Sequence, residues 1–174
     1  MGRVGLALLG WRIEGEIPNQ PKLVAIVAPH SSNWDFVVGL LAKYAIGVRA
    51  SFLGKHTLFR WPFGALFRSW GGIPVIRDAS HDVVDQSVAE FARRESLVLA
   101  IAPEGTRKVV SRWRTGFYHI ARGAGVPILL VTLDWGHKTV RFGPTFTATD
   151  NFESDMARIQ AAYANVRGRH DRIG

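Results

Sequence analysis

The sequence predicts a single-domain α/β sandwich, with a mostly parallel or mixed central sheet flanked by helices. Three observations carry this. The runs "LVAIVA", "LVLAIA" and "VPILLVTL" are continuously apolar, as expected of strands buried on both faces, and such strands belong to sheets covered by helices on either side. Between the runs lie stretches with apolar residues at helical spacing, so strand and helix alternate. No linker, internal repeat or low-complexity tract interrupts the 174 residues, which places 1–174 in one domain.

The elements follow in order. Trp11 to Glu16 reads as a short strand and Leu23 to Ala28 as the first buried one. Asp35 to Ile46 reads as a helix, with Asn33 or Asp35 near its start and Gly47 at its end. Val48 to Leu53 returns to strand, and "GKHTLFRWPFG" is expected as a loop or short helical segment. The aromatic cluster from Phe59 to Trp70 is expected to be core, although Trp61-Pro62-Phe63 beside Arg60 and Arg68 also suits a lipid headgroup boundary. Ile73 to Ile76 is a further short strand. Ser80 to Arg94 follows as a helix with Val84, Val88 and Phe91 on one face, and Leu97 to Ala102 is the third buried run. Thr115 to Ala124 is a helix closed by Gly125, and "VPILLVTL" is a strand for which "TVRFG" is a partner. Asn151 to Val166 is a terminal helix whose Phe152, Met156, Ile159, Ala162, Tyr163 and Val166 form a core-facing stripe.

Composition narrows the chemistry. With no cysteine, disulfides and thiolate metal sites are excluded. The net charge of +8 favours anionic partners: nucleic acid, an anionic membrane surface or a phosphorylated substrate. The basic residues are dispersed, and no nucleic-acid-binding motif accompanies them, so no nucleic-acid partner is expected. "VGLALLGW" is too short for a membrane span and has no small-residue cleavage site, so at most it dips into an interface.

In α/β sheets the functional loops gather at the carboxyl ends of strands. Two strand ends here are chemically loaded, "APHSSNWD" and "APEGTR", each an Ala-Pro followed by ionisable groups. If the two strands are parallel and close, the loops share one rim. The chain folding back before the helix lets Asp35 accept from one imidazole nitrogen of His30, leaving the other to take a proton from a hydroxyl. An aspartate opening a helix is also ordinary capping chemistry, so spacing leaves both readings open. In the second loop, Gly105 lets backbone N–H groups approach a ligand. Arg107 is built to grip a phosphate or carboxylate, and Glu104 to orient an arginine or an attacking hydroxyl. Arg77, ending the strand in "GGIPVIR", is an anion ligand or a surface charge.

The order "HSSNWD", "GGIPVIRD", "PEGTR", "VPILLV" resembles the 1-acylglycerol-3-phosphate acyltransferase family of glycerolipid acyltransferases, over roughly Leu23 to Leu133. A lone histidine and aspartate with four residues between them is a weak match; four ordered blocks are a specific one. The resemblance implies an O-acyltransferase that moves an acyl group from acyl-CoA or acyl carrier protein to a lysophospholipid hydroxyl. It implies His30 as general base and Asp35 as its orienting partner. Arg77 and Arg107 would hold the acceptor phosphate, with Glu104, Gly105 and Thr106 in the same substrate pocket. Lys55 and Arg114 are further anion contacts, and Val126, Pro127 and Ile128 would shape the acyl side. No bound cofactor or metal is implied. Its place would be cytoplasmic, peripheral on the inner face of the membrane. The rival reading is a non-catalytic anionic-lipid-binding module that kept the fold.

Overall fold

Each long apolar run becomes a strand. The computed structural model describes residues 2–76, 80–106 and 112–169. In chain order the elements are α1 (Gly2–Leu8), β1 (Arg12–Glu14), β2 (Lys22–Ala28), α2 (Asn33–Ile46), β3 (Ala50–Lys55), a 3-10 turn (His56–Phe59) and α3 (Gly64–Ser69). Then come β4 (Gly72–Val75), α4 (Ser80–Arg93), β5 (Leu97–Ile101), α5 (Gly116–Ala124), β6 (Ile128–Asp134), β7 (Thr139–Phe146) and α6 (Phe152–Ala161).

The seven strands form one mixed sheet in the order β1-β7-β6-β2-β5-β3-β4. From β6 to β4 every neighbour is parallel, β7 is antiparallel to β6, and β1 runs parallel to β7. Because side chains alternate along a strand, β2 sends Val24, Ile26 and Ala28 to one face and Leu23 and Ala25 to the other. The first face packs Phe91 of α4, Phe117 and Ile120 of α5, and Met156 and Ile159 of α6. The second packs Leu6 of α1 and Val38 and Ala42 of α2. Helix α1 lies close on α2 because Gly2 has no Cβ; one would stand 2.5 Å from Leu41 O and Ala45 N.

Val4 to Leu8 of "VGLALLGW" lie in α1, with Leu6 buried and Leu8 83% exposed. Two expectations change. The terminal helix stops at Ala161 rather than Val166, and Ala162 is exposed. Turns after Ala161 carry Tyr163 to the sheet, where its hydroxyl donates to Ile26 O at 3.0 Å. The aromatic cluster is core only in part. Phe59 is buried and meets Phe67, which meets Trp70, edge to face. Trp61 is 93% exposed and Phe63 is exposed, because both follow the end of the 3-10 turn and precede α3 without packing on the sheet.

Candidate active site

β2 and β5 pair directly and in parallel, from Lys22↔Leu97 to Ile26↔Ile101. Their exits, Ala28-Pro29 and Ala102-Pro103, therefore lie side by side on one rim, as the two loaded loops required. β6 flanks β2 on its other side, also parallel, so the chain after Asp134 reaches the same rim.

The first loop is closed by reciprocal capping. Ser32, not Asn33 or Asp35, is the N-cap of α2; its Oγ accepts from Trp34 N at 3.2 Å, and Asp35 is the third helical residue. The Asp35 carboxylate reaches back to accept from Ser32 N at 2.7 Å and Ser31 N at 2.6 Å, both on Oδ2. This is the two-way arrangement that the S-x-x-D spacing permits. On the same oxygen, at 3.4 Å, stands His30 Nδ1. That is longer than an ordinary N–H···O bond, so the imidazole is poised beside the carboxylate rather than clamped to it. On Oδ1 the Trp135 indole N–H donates at 2.7 Å. Burial pushes the Asp35 carboxyl upward, yet the nearby His30 imidazole and the bonds from Ser32 N, the Trp135 indole and Ser31 N outweigh it and hold it below the usual range. The carboxylate side chain is 1% exposed and that of His30 28%, so the imidazole is open to solvent while the carboxylate is not.

Glu104 enters from the second loop. Its Oε1 accepts from His30 N at 2.9 Å, tying the two loops together across 74 residues. Its Oε2 is buried and has no hydrogen-bond partner among the described residues. Burial raises its pKa, only partly offset by the His30 N–H. Gly105 has a φ of +64°, and a Cβ there would lie 2.5 Å from Arg114 Cδ, so the glycine makes room for the Arg114 side chain to lie across it. Arg114 N donates to Pro103 O at 2.8 Å, which holds it at the rim. Thr106 is half-buried on the same loop. The expected anion ligands Arg77 and Arg107 lie outside the described residues.

Behind the pair opens an apolar cavity of about 190 Å³ between α2 and the sheet. His30 and Asp35 stand among its lining residues, which along α2 continue through Phe36, Gly39 and Lys43 to Ile46. The sheet side is Ala25, Val27, Leu129, Val131 and Leu133. Lys43 is the exception in the apolar wall; its ammonium donates to Trp70 O at 2.6 Å, and burial lowers its pKa. Val126 and Ile128 pack into the cluster on the opposite face of the sheet, against α5 and α6. The apolar slot is thus lined not by them but by Leu129, Val131 and Leu133 further along the same strand. Among the described residues no group of three or more His, Asp or Glu is placed to hold a metal ion.

The sequence reading missed Trp135 and the two serine N–H groups. The backbone donors follow from the capping spacing. Trp135 has a weaker signal: it follows another parallel strand end, one neighbour from β2.

A base over a buried carboxylate, at the rim of an α/β sheet and at the mouth of an apolar slot, defines a site for moving a proton beside an apolar group. The chain belongs to the Acyltransferase family, whose model matches residues 12–134. It is 29% identical over 143 residues to a 1-acyl-sn-glycerol-3-phosphate acyltransferase of Haemophilus influenzae, covering 76% of this chain and 58% of that one. With the protein of the same name from Escherichia coli it shares 28% over 134 residues, covering 71% and 53%. It therefore spans little more than half the length of these relatives. In fold it is similar to the crystal structure of the 1-acyl-sn-glycerophosphate acyltransferase PlsC from Thermotoga maritima. There the TM-score is 0.61 at 15% identity, over 92% of this chain and 73% of that one.

Proposed function

We propose that the protein transfers a fatty acyl group from a thioester, acyl-CoA or acyl carrier protein, to the hydroxyl of a lysophospholipid such as 1-acylglycerol-3-phosphate. The observation that supports this best is the His30–Asp35 pair at the mouth of the apolar slot. With Nδ1 toward Asp35, Nε2 is free to take the hydroxyl proton as the acceptor oxygen attacks the thioester carbonyl. Asp35 stabilises the imidazolium that forms. Collapse of the tetrahedral intermediate breaks the C–S bond, and the imidazolium returns its proton to the leaving thiolate. No acyl-enzyme is needed. Ser31 Oγ accepts from Arg169 N and Ser32 Oγ caps α2, which leaves both serines in structural roles. The slot takes the acyl chain, and Arg77 and Arg107, joined by Arg114 at the rim, hold the acceptor phosphate, with Glu104, Gly105 and Thr106 completing that pocket.

No helix among the described residues is long and apolar enough to cross a membrane. The exposed Val4 and Leu8 of α1, and Trp61 and Phe63 between Arg60 and Arg68, suit peripheral contact with an anionic bilayer. In the reading proposed here this is the inner face of the cytoplasmic membrane.

Thiol release from acyl-CoA and acyl carrier protein, with vesicles and a panel of lysolipids, tests the proposal. A positioned base contributes about 10²–10⁴-fold, so His30→Ala should lose that much of the acceptor-dependent rate. Binding to anionic vesicles with no transfer from either donor, or transfer indifferent to His30→Ala, would replace the enzyme with a lipid-binding module.

A further inference from the structure

The family match ends at Asp134, and the chain beyond it comes back to the base loop. Trp135, the next residue, donates its indole N–H to Asp35 Oδ1 at 2.7 Å and its backbone N–H to Arg167 O at 2.9 Å. Two residues later Arg169 N donates to Ser31 Oγ at 2.9 Å. The Arg169 guanidinium lies 5.1 Å from the Trp135 ring centroid and 5.4 Å from that of Trp34. Gly168 is buried between them, where a Cβ would stand 3.0 Å from Ser31 Oγ. The chain end is thus laid across the loop that carries the base.

The division of donors on Asp35 gives this its meaning. Ser31 N, Ser32 N and His30 Nδ1 all address Oδ2, and all lie within five residues of the carboxylate. Trp135 addresses Oδ1 from 100 residues away. The donors on Oδ2 belong to the carboxylate's own stretch of chain and move with it, whereas the Trp135 indole is held at the end of β6. We infer that Trp135, braced by Arg167–Arg169, is a positioning residue that ties the Asp35 carboxylate to the end of β6 and through it sets the orientation of His30. Its catalytic consequence rests on the proposed role of the His30–Asp35 pair; the contact itself does not.

Trp135→Phe removes the N–H and keeps a ring for Arg169 and for the edge contact with Trp11. A hydrogen bond to a charged acceptor is worth roughly 10- to 100-fold, so kcat should fall by that factor with KM for the acceptor within about twofold. Side-chain NMR supplies the readout that does not depend on activity. The indole N–H signal lost in Trp135→Phe should move upfield in Asp35→Asn, and the His30 ring signals, assigned through His30→Ala, should move in Trp135→Phe. If the wild type transfers no acyl group, the proposed function has failed, and the NMR signals alone decide the positioning role. Should Trp135→Phe fail to fold, Arg169→Ala carries the same measurements, with a smaller loss of kcat and shifted His30 signals expected. His30 ring signals unmoved in the folded variant, or a KM effect with kcat intact, overturn the inference.

Discussion

Asp35 and Glu104 leave neighbouring parallel strands at the same rim, both withdrawn from water, and the protein treats them in opposite ways. Asp35 is surrounded by donors on both oxygens, and its carboxyl is held below its usual range despite burial. Among the described residues Glu104 accepts from His30 N on Oε1 while its Oε2 has no partner, and burial raises its pKa. The difference teaches where each charge is wanted. A carboxylate that must stay ionised beside an imidazole is enclosed by fixed N–H groups. One whose second oxygen is buried without a partner is instead pushed toward its neutral form by desolvation.

Truncating each carboxylate is the strongest way to break this comparison. Asp35→Ala strands Ser31 N, Ser32 N and the Trp135 indole, and buried donors left alone cost about 1–3 kcal/mol each. A loss of roughly 3 kcal/mol or more is expected in urea unfolding. Glu104→Ala strands His30 N alone and should lose only about 1 kcal/mol. Equal losses would mean the two carboxylates do the same structural work.

Acid sharpens the contrast, because the two shifts have opposite signs. Asp35 has a folded pKa below its unfolded value of 3.8. Its contribution is therefore complete above that pH and lost as pH falls through the depressed folded value. The stability gap between wild type and Asp35→Asn should be widest near neutrality and close below pH 3.8. Glu104 has a folded pKa above 4.5, so its contribution is complete below that value and lost as pH rises through the raised one. Thermal melts of Glu104→Gln should then show a gain in stability at neutral pH that fades toward pH 4.5. A gain that grows in acid would reverse the assignment.

The smallest effect is a control that touches neither carboxylate. Gly39 lies within α2, facing the slot, and a Cβ there meets nothing within 4 Å. Gly39→Ala should raise stability by about 0.5–1 kcal/mol through helix propensity. Gly39→Leu, which fills the slot, should leave folding intact and shift donor preference toward shorter acyl chains in the same thiol-release assay.

Much of this was legible in the chain. The continuous runs "LVAIVA", "LVLAIA" and "VPILLVTL" announced strands buried on both faces, and they became β2, β5 and β6 at the centre of the sheet. Gly47 ended α2 and Gly125 ended α5, each in the left-handed conformation that favours glycine. The site was readable to the extent that its residues are neighbours in sequence. His30 lies on the loop before α2 and Asp35 in that helix's first turn, so their spacing offered the pair as one of two readings, and the four ordered blocks pointed to the family. The extent of the terminal helix was not readable, because an apolar stripe reports which side faces the core and not how the backbone carries it there. Nor was the exposure of Trp61, since aromatic density looks the same whether its rings pack or protrude.

Sequence by itself determined the alternation, the carboxyl-end loops and the closeness of His30 to Asp35, all set by side-chain pattern and spacing within a dozen residues. It could not choose between Asp35 as helix cap and Asp35 as partner of His30. The folded chain shows that one carboxylate does the capping while standing beside the imidazole, because it has two oxygens and several lone pairs to share. Only tertiary structure brought Glu104 Oε1 to His30 N, the Trp135 indole to Asp35 Oδ1, and the chain end over Ser31. Those contacts depend on which strands are neighbours in the sheet, and sheet order is fixed by packing over the whole domain rather than by any segment's own pattern.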